Sequence, residues 1–340
     1  MKSTSLFLFL ITILTFSACK TDRLDTSEIS LVLAGGKYPN LAEYNGTFYC
    51  TTQCQSVDTI AIYSAKSINE LTDNQPVVAW NGVEKGMFNI WSPYLRRIND
   101  SWFIYFEADD GNTDNHQIYV IENKNDDPTM GEWTLHGPII TNREWNFGIH
   151  PSTVIVDGRQ YLLWSGWEHR RIEAETQCIF IAEMENPWTL KSERVKISQP
   201  EYEWERQWIN PDGSRSAYPI FVNEDPEAIV SPDGKKIIVG YSASGIWTHY
   251  NALGIIYAST SSNLLDKNSW TKKDEPQFMV DKNDSTMYGT SNIALLTTPE
   301  GVTHMLYQAK HNEKGYEETC IYHKTINWDE NSLPIFGSPR

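Results

Sequence analysis

Residues 151–166 read PSTVIVDGRQYLLWSG, which is an apolar run, an Asp-Gly pair and a second apolar run that ends in small polar residues. An Asp-Gly pair between two such runs is typical of a β-hairpin. Four further stretches follow the same plan, at 39–49, 93–106, 226–242 and 292–307. Five hairpins at a spacing of roughly 55 to 75 residues predict an all-β chain that folds as a five-bladed β-propeller.

This repeat sets the domain organisation and the place of a site. The copies run from one end of the 340 residues to the other, so residues 31–340 are expected to form one domain with a continuous core. A propeller gathers the beginning of each blade's first strand around one axial cavity. The residues just before each hairpin are therefore expected to line a common site.

Composition excludes some classes of partner. The formal net charge of −16 argues against binding to nucleic acid and to anionic lipid surfaces. The 13 Trp and 17 Tyr favour strands, and aromatic rings also serve as platforms for sugars. Most of them are expected to be packing residues between blades.

The N-terminus has the pattern of an export signal. Lys2 precedes an almost continuous apolar run from Leu6 to Phe16, and small residues then lead to Cys19. The run is too short to span a membrane. We interpret residues 1–19 as a bacterial lipoprotein signal with Cys19 as the lipidated residue, and residues 20–30 as a polar tether to the membrane. An ordinary secretory signal cleaved near Ala18 is the alternative.

Seven segments, in order along the chain, resemble glycoside hydrolase family 43, and the resemblance is closest to its exo-acting α-L-arabinofuranosidases. It covers residues 31–340. The segments are WSP at 91–93, YFEADDG at 105–111, WSGWE at 164–168, IAEMENPW at 181–188, VNEDP at 222–226, YSASGIWT at 241–248 and PIFGSP at 334–339.

The resemblance implies hydrolysis of arabinofuranosides or xylosides with inversion. That reaction uses one carboxyl group as the acid and a second as the base for water. The family places the acid in an Asn-Glu-Gly-Pro motif of the fourth blade, and residues 223–226 match it except at Asp225. Glu224 is therefore the expected general acid; a glutamate that only closes the turn before Pro226 is the alternative.

Three other family positions have changed in this chain. Tyr38 stands where the resemblance expects the aspartate base, and His150 where it expects the aspartate that orients the acid. Ser291 and Asn292 replace a histidine that often faces a bound calcium ion, which makes calcium a possible but less expected companion. No other metal, nucleotide, haem or flavin signature is present in the sequence.

These changes leave the identity of the base open. His150 titrates in a useful range and is one candidate. The second candidate is an ionised Glu224, with His150 as the acid. The third is a carboxylate from a neighbouring loop, which could be Asp109, Asp110, Asp225 or Glu227. Tyr38 is a poor base at neutral pH, and its pairing with Glu224 also resembles the nucleophile arrangement of sialidases. A buried structural role for His150 is the remaining interpretation.

The sequence thus predicts an exported, lipid-anchored hydrolase of arabinofuranosyl or related units in plant-type polysaccharides. The alternative is a non-catalytic propeller that binds a glycan in the same cavity. Besides the three catalytic candidates Tyr38, His150 and Glu224, the predicted substrate-binding residues are Trp91, Tyr94, Trp164, Trp167, Asn223, Asp225, Trp247 and Ser291.

Overall fold

The computed structural model describes residues 29–53, 58–169, 175–209, 215–246, 248, 250–280, 287–311 and 319–339. The predicted signal and most of the tether, including Cys19, lie outside these ranges. In the described part the only helical segments are five short 3-10 turns, at Ile68–Glu70, Val83–Lys85, Thr113–Asn115, Glu203–Glu205 and Lys267–Ser269. No helix there is long and apolar enough to cross a membrane. The prediction of an all-β chain is confirmed.

Two four-stranded antiparallel sheets follow the first strand, β1 (Ser30–Ala34). The first sheet consists of β2 (Lys37–Tyr44), β3 (Thr47–Gln53), β4 (Thr59–Ala65) and β5 (Val77–Asn81). The second consists of β6 (Phe88–Ile98), β7 (Ser101–Asp109), β8 (Gln117–Asn123) and β9 (Thr134–Pro138). In both sheets the strands pair in chain order.

The middle of the chain forms one ten-stranded sheet with two halves. The first half contains β10 (Ile149–Val156), β11 (Arg159–Gly166), β12 (Glu175–Asn186), β13 (Thr189–Leu190) and β14 (Val195–Ser198). The second contains β15 (Arg206–Ile209), β16 (Arg215–Val230), β17 (Lys236–Ala243), β18 (Ala252–Ser259) and β19 (Thr271–Lys272). The halves are joined by a short parallel pairing of β12 with β16 at residues 175–177 and 220–222.

The last sheet is completed by the first strand of the chain. It contains β20 (Tyr288–Thr297), β21 (Thr303–Lys310), β22 (Thr319–Trp328) and β23 (Pro334–Ile335). β1 pairs antiparallel with β22, so that the N-terminal strand lies at the edge of the C-terminal sheet.

The five predicted hairpins are confirmed, as β2–β3, β6–β7, β10–β11, β16–β17 and β20–β21. Their first strands contact one another in cyclic order: β2 with β6, β6 with β10, β10 with β16, β16 with β20, and β20 with β2. The parts of β2, β10, β16 and β20 that carry Tyr38, His150, residues 224–225 and Asn292 contact one another and meet in one place.

Side chains from both faces of the strands form the core between neighbouring sheets. On β17, Ile237 and Val239 pack toward β10–β12, whereas Ile238 packs toward β20–β22. Successive side chains of a strand point to opposite faces. A strand covered on both faces thus has a continuous apolar run, as residues 237–239 do.

Each first strand has an irregularity, which lies before the middle of the strand in β2, β6, β10 and β20 and beyond the middle in the longer β16. The pairing register shifts there. Asn89 of β6 and Gly289 of β20 also have a positive φ, but each of the five strands has one further residue at the shift whose φ lies between 42° and 54°. These bulge residues are Tyr38, Ser92, His150, Asp225 and Asn292. A β-bulge re-aims a side chain and is frequent next to active sites.

Candidate active site

Glu224 lies at the bulge of β16 and is 2% exposed. Its Oε1 accepts a hydrogen bond of 3.1 Å from the backbone N–H of Ile246. Lys310 donates to the carbonyl oxygens of Ile246 and Thr248, and so holds the same loop from β21. Desolvation lowers the pKa of Lys310 to about 7, although the nearby Glu224 acts in the opposite direction.

His150, at the bulge of β10, lies beside Glu224. Its Nδ1 is 3.9 Å from Oε2 of Glu224, and its ring stacks on Tyr38 with 4.8 Å between the ring centroids. Burial, with a smaller contribution from His116, lowers the pKa of His150 to about 3, so the imidazole is neutral at pH 7. Tyr38 is itself buried, and its backbone N–H donates to Oε1 of Gln308 at 3.2 Å.

A second buried carboxyl group approaches His150 from the other side. Glu107, near the end of β7, places Oε1 3.8 Å from Nε2 of His150 and has no exposed surface. Within the described residues, neither carboxylate oxygen of Glu107 and neither ring nitrogen of His150 has a partner with hydrogen-bond geometry. The imidazole ring therefore separates the two glutamates.

Burial raises the pKa of Glu107 to about 8. The backbone amide of His150 and the hydroxyl of Ser92 are close enough to lower it, but their effect is smaller. Sequence reasoning did not identify Glu107 as a site residue. The signal was a single charged residue inside the otherwise apolar run WFIYFEA at 102–108.

β16 contributes two further carboxyl groups next to Glu224. Asp225, at the bulge, is partly exposed; its Oδ2 accepts 2.8 Å from Nδ2 of Asn292, and its N–H donates to Oγ of Ser165. Desolvation raises the pKa of Asp225 to about 7. Glu227 is buried, and desolvation raises its pKa to about 7 against the opposing effect of Arg96.

The other two carboxylates considered from the sequence are engaged elsewhere. Asp109 accepts from Asn89 at 2.9 and 3.0 Å and lies 3.3 Å from Nε2 of His116. Asp110 is exposed and binds Asn115. They stabilise the loop after β7.

Asn223 belongs to a buried network next to Glu224. Its Nδ2 donates to Oε1 of Glu205 at 3.0 Å, and its Oδ1 accepts from Ser198 at 2.7 Å. The same Glu205 oxygen lies 2.6 Å from Nζ of Lys272 and accepts from the hydroxyl of Tyr241. Because consecutive strand residues point to opposite faces, this network fixes β16 from the face opposite Glu224.

The predicted aromatic residues divide into two groups. Trp91 keeps part of its surface exposed and packs on His116, and Trp167 stacks on Phe147 at 3.8 Å between centroids with a small exposed remainder. Trp164 has no exposed surface and packs in the core, and the buried Tyr94 donates to the carbonyl of Thr153 at 3.2 Å. Trp247 lies outside the described residues.

Ser291 and Asn292 direct their polar atoms at protein groups. Ser291 donates to the side-chain oxygens of Asn251 and Asn292, and Asn292 donates to Asp225. Among the described residues, no group of three or more His, Cys, Asp or Glu side chains is arranged to hold a metal ion. These residues do not fit a calcium site, so calcium has no part in the chemistry derived below.

Known proteins share this architecture. The crystal structure of an α-L-arabinofuranosidase from Lactobacillus brevis superimposes with a TM-score of 0.80 at 28% identity, covering 92% of this chain and 97% of the other. A thermostable family-43 glycoside hydrolase, 17% identical, has a TM-score of 0.71 over 88% of this chain and 92% of its own, and shows the fold alone.

Two curated relatives are extracellular exo-α-(1→5)-L-arabinofuranosidases. The Streptomyces chartreusis protein is 30% identical, over 78% of this chain and 77% of its own length. The Streptomyces avermitilis protein is 28% identical over 87% of this chain, which spans only 60% of that relative. The model of glycosyl hydrolases family 43 matches residues 33–334. With nearly the whole all-β domain matched in this way, the chain belongs to glycosyl hydrolases family 43.

Proposed function

We propose that this protein is a glycoside hydrolase that releases arabinofuranosyl or related units from plant-type polysaccharides, with Glu224 as its general acid. The placement of Glu224 is the observation that supports this most directly. Its carboxyl group lies at the meeting point of the first strands, with Oε1 fixed by the N–H of Ile246. The family and the printed activities of the relatives support the same reaction class.

We interpret the five sheets as the blades of a five-bladed propeller. The cyclic contacts of β2, β6, β10, β16 and β20 support a closed ring, and the pairing of β1 with β22 joins the two ends of the chain. A bulge in every first strand supports a common origin of the five units.

We assign His150 to the positioning of Glu224. A general acid must carry the proton that it donates, and the imidazole of His150 is neutral at pH 7. This argues against His150 as the acid. Its distance of 3.9 Å from Glu224 leaves no room for a sugar between the two groups, which argues against His150 as a base on the opposite face of the substrate. Tyr38, stacked on the ring, holds it in place.

For substrate binding we retain Trp91, which keeps part of its surface exposed, and Trp167, which is buried except for 8% of its surface. Trp164 is left out of this set because a fully buried ring offers no face to a sugar. Asn223 is also left out, because both ends of its amide bind protein groups.

One observation favours a second function. Tyr38 and His150 stack on each other where the resemblance expects two aspartates, and both are buried. Such packing suits a propeller that binds a glycan without cleaving it. Sugar release is the property that separates the two functions.

The test is sugar release by the chain from residue 20 onward on arabinan, arabinoxylan, pectic side chains and galactan. Glu224→Gln removes the acid without changing its shape, and Glu185→Gln makes the same change at an exposed position of β12. We expect Glu224→Gln to lower kcat by roughly 10²–10⁴-fold and Glu185→Gln to leave it unchanged. Binding without release by the unaltered chain would establish the glycan-binding function instead.

We further propose export and attachment to a bacterial membrane through a lipid on Cys19. The apolar run from Leu6 to Phe16, followed by small residues and a cysteine, supports this proposal, and the two Streptomyces relatives are described as extracellular. In cells that process lipoproteins, Cys19→Ser is expected to move the protein from the membrane fraction to the soluble fraction. An unchanged distribution would contradict the lipid anchor.

A further inference from the structure

The five bulge residues differ in chemistry and in exposure. Asp225 is the one carboxylic acid among Tyr38, Ser92, His150, Asp225 and Asn292, and its four counterparts are buried while it is partly exposed. A group that activates water must be reached by water. Asp225 meets this requirement at the meeting point of the first strands.

The other carboxyl groups of the cavity are less suited to this task. Glu107 is fully buried behind the ring of His150, and Glu227 is buried with Oε1 accepting 3.1 Å from the N–H of Leu295. Glu224 is assigned to the role of the acid, with Oε1 held by the N–H of Ile246. Among these described carboxyl groups, only Asp225 combines accessible surface with a place beside Glu224.

Asp225 and Glu224 are consecutive, but their carboxyl groups are held toward different neighbours. Glu224 faces His150 of β10, whereas Oδ2 of Asp225 is held by Asn292 of β20. β10 and β20 contact β16 from opposite sides in the ring of first strands. An inverting glycosidase needs this divergence, because the sugar and the attacking water lie between its two carboxyl groups.

We propose that Asp225 is the general base, an inference that rests on the hydrolase function proposed above. Oδ1 of Asp225 takes a proton from a water molecule while the water oxygen forms a bond to the anomeric carbon. The bond from that carbon to the leaving oxygen breaks, and the leaving oxygen takes the proton of Glu224. The sugar leaves with inverted configuration, and exchange with bulk water returns Asp225 to its ionised form and Glu224 to its protonated form.

The electrostatic surroundings agree with this role. Partial desolvation raises the pKa of Asp225 to about 7, and the hydrogen bond from Asn292 partly offsets this. In addition to desolvation by burial, the charge of Asp225 in turn raises the pKa of the two neighbouring carboxyl groups, Glu107 from β7 and Glu227 from β16 itself. Because a base acts in its ionised form, the rate is expected to rise with pH through about 7.

Asp225→Asn is the direct test, because asparagine keeps the shape and tolerates a positive φ. Asp157→Asn is the matched control: Asp157 also has a positive φ, of 49°, but lies exposed in the turn between β10 and β11. We expect Asp225→Asn to lower kcat by roughly 10²–10⁴-fold, and the control to keep the rate of the unaltered enzyme.

Added azide separates loss of the base from loss of structure. Azide needs no deprotonation, so with Asp225→Asn it should restore turnover and give a glycosyl azide of inverted configuration. Azide should not restore the turnover of Glu224→Gln. That variant should instead regain turnover on an aryl glycoside with a good leaving group, which does not need a general acid. An Asp225→Asn enzyme that keeps its activity, or loses it without forming the azide product, would overturn the proposal.

Asn292→Gly provides a second test, with the pH dependence of kcat as its readout. This pH dependence would not change if Asp225 had only a structural role. Glycine accepts the positive φ of 47° and removes the hydrogen bond that lowers the pKa of Asp225. The acidic limb of the kcat profile should move to higher pH. An equal loss at every pH would count against Asp225 as the base. An unaltered chain that releases no sugar would overturn the hydrolase function, and this proposal with it.

Discussion

Replacement of Glu107 by glutamine should change how the stability of the protein depends on pH. The folded protein raises the pKa of this carboxyl from 4.5 to about 8, chiefly by desolvation. The stabilisation from a proton on Glu107 is complete below about pH 4.5 and is lost as the pH rises to about 8. Between those values, each pH unit lowers the free energy of unfolding by about 1.4 kcal/mol.

Glutamine removes this contribution and keeps the shape of the protonated side chain. Between pH 5 and pH 7, the unaltered protein should therefore lose about 3 kcal/mol of stability relative to Glu107→Gln. Asp225 and Glu227, whose pKa values are also raised, contribute in the same direction but are present in both proteins. The difference between the two proteins isolates Glu107.

Urea unfolding followed by tryptophan fluorescence at pH 5, 6, 7 and 8 measures this difference. The surface change Glu185→Gln serves as the control and should show no pH-dependent difference. If the difference between Glu107→Gln and the unaltered protein stays constant over this range, Glu107 does not hold a proton at neutral pH, and the account of its burial is wrong.

Two further changes test the core. Nζ of Lys272 lies 2.6 Å from Oε1 of the buried Glu205, so Lys272→Met leaves this carboxylate without its cation. The free energy of unfolding measured in urea should fall by about 3–5 kcal/mol, whereas Lys267→Met at an exposed position should change it little. Trp164→Ala removes a fully buried ring that stacks on Phe180 and should cost about 3–5 kcal/mol, while the glycan affinity of the folded fraction, measured by calorimetry, stays the same.

The hairpins were predictable because their signals are local. In residues 151–166 the turn and the two apolar runs are adjacent, and pairing follows from the turn. The bulges were partly predictable: proline follows the bulge residue on four of the five first strands. Ser92 has this pattern, but sequence reasoning chose its neighbours Trp91 and Tyr94.

Longer-range features were not predictable from such patterns. Glu107 reaches His150 only because β7 and β10 lie in neighbouring sheets, and no spacing along the chain encodes that contact. The burial of Trp164 could not be predicted from the sequence for a different reason. A strand covered on both faces has no polar side, so alternation does not tell which aromatic faces a cavity.

The pairing of β1 with β22 sets a limit on when the protein can finish folding. Residues 30–34 leave the ribosome before the other strands of the domain, but their hydrogen-bonding partners are residues 320–323. Contacts this distant along a chain make folding slow. During synthesis the N-terminal strand must remain an unpaired edge, open to pairing with another chain, until almost the whole domain has been made. A helper that covers this strand should raise the yield of folded protein more than one that acts on any single hairpin.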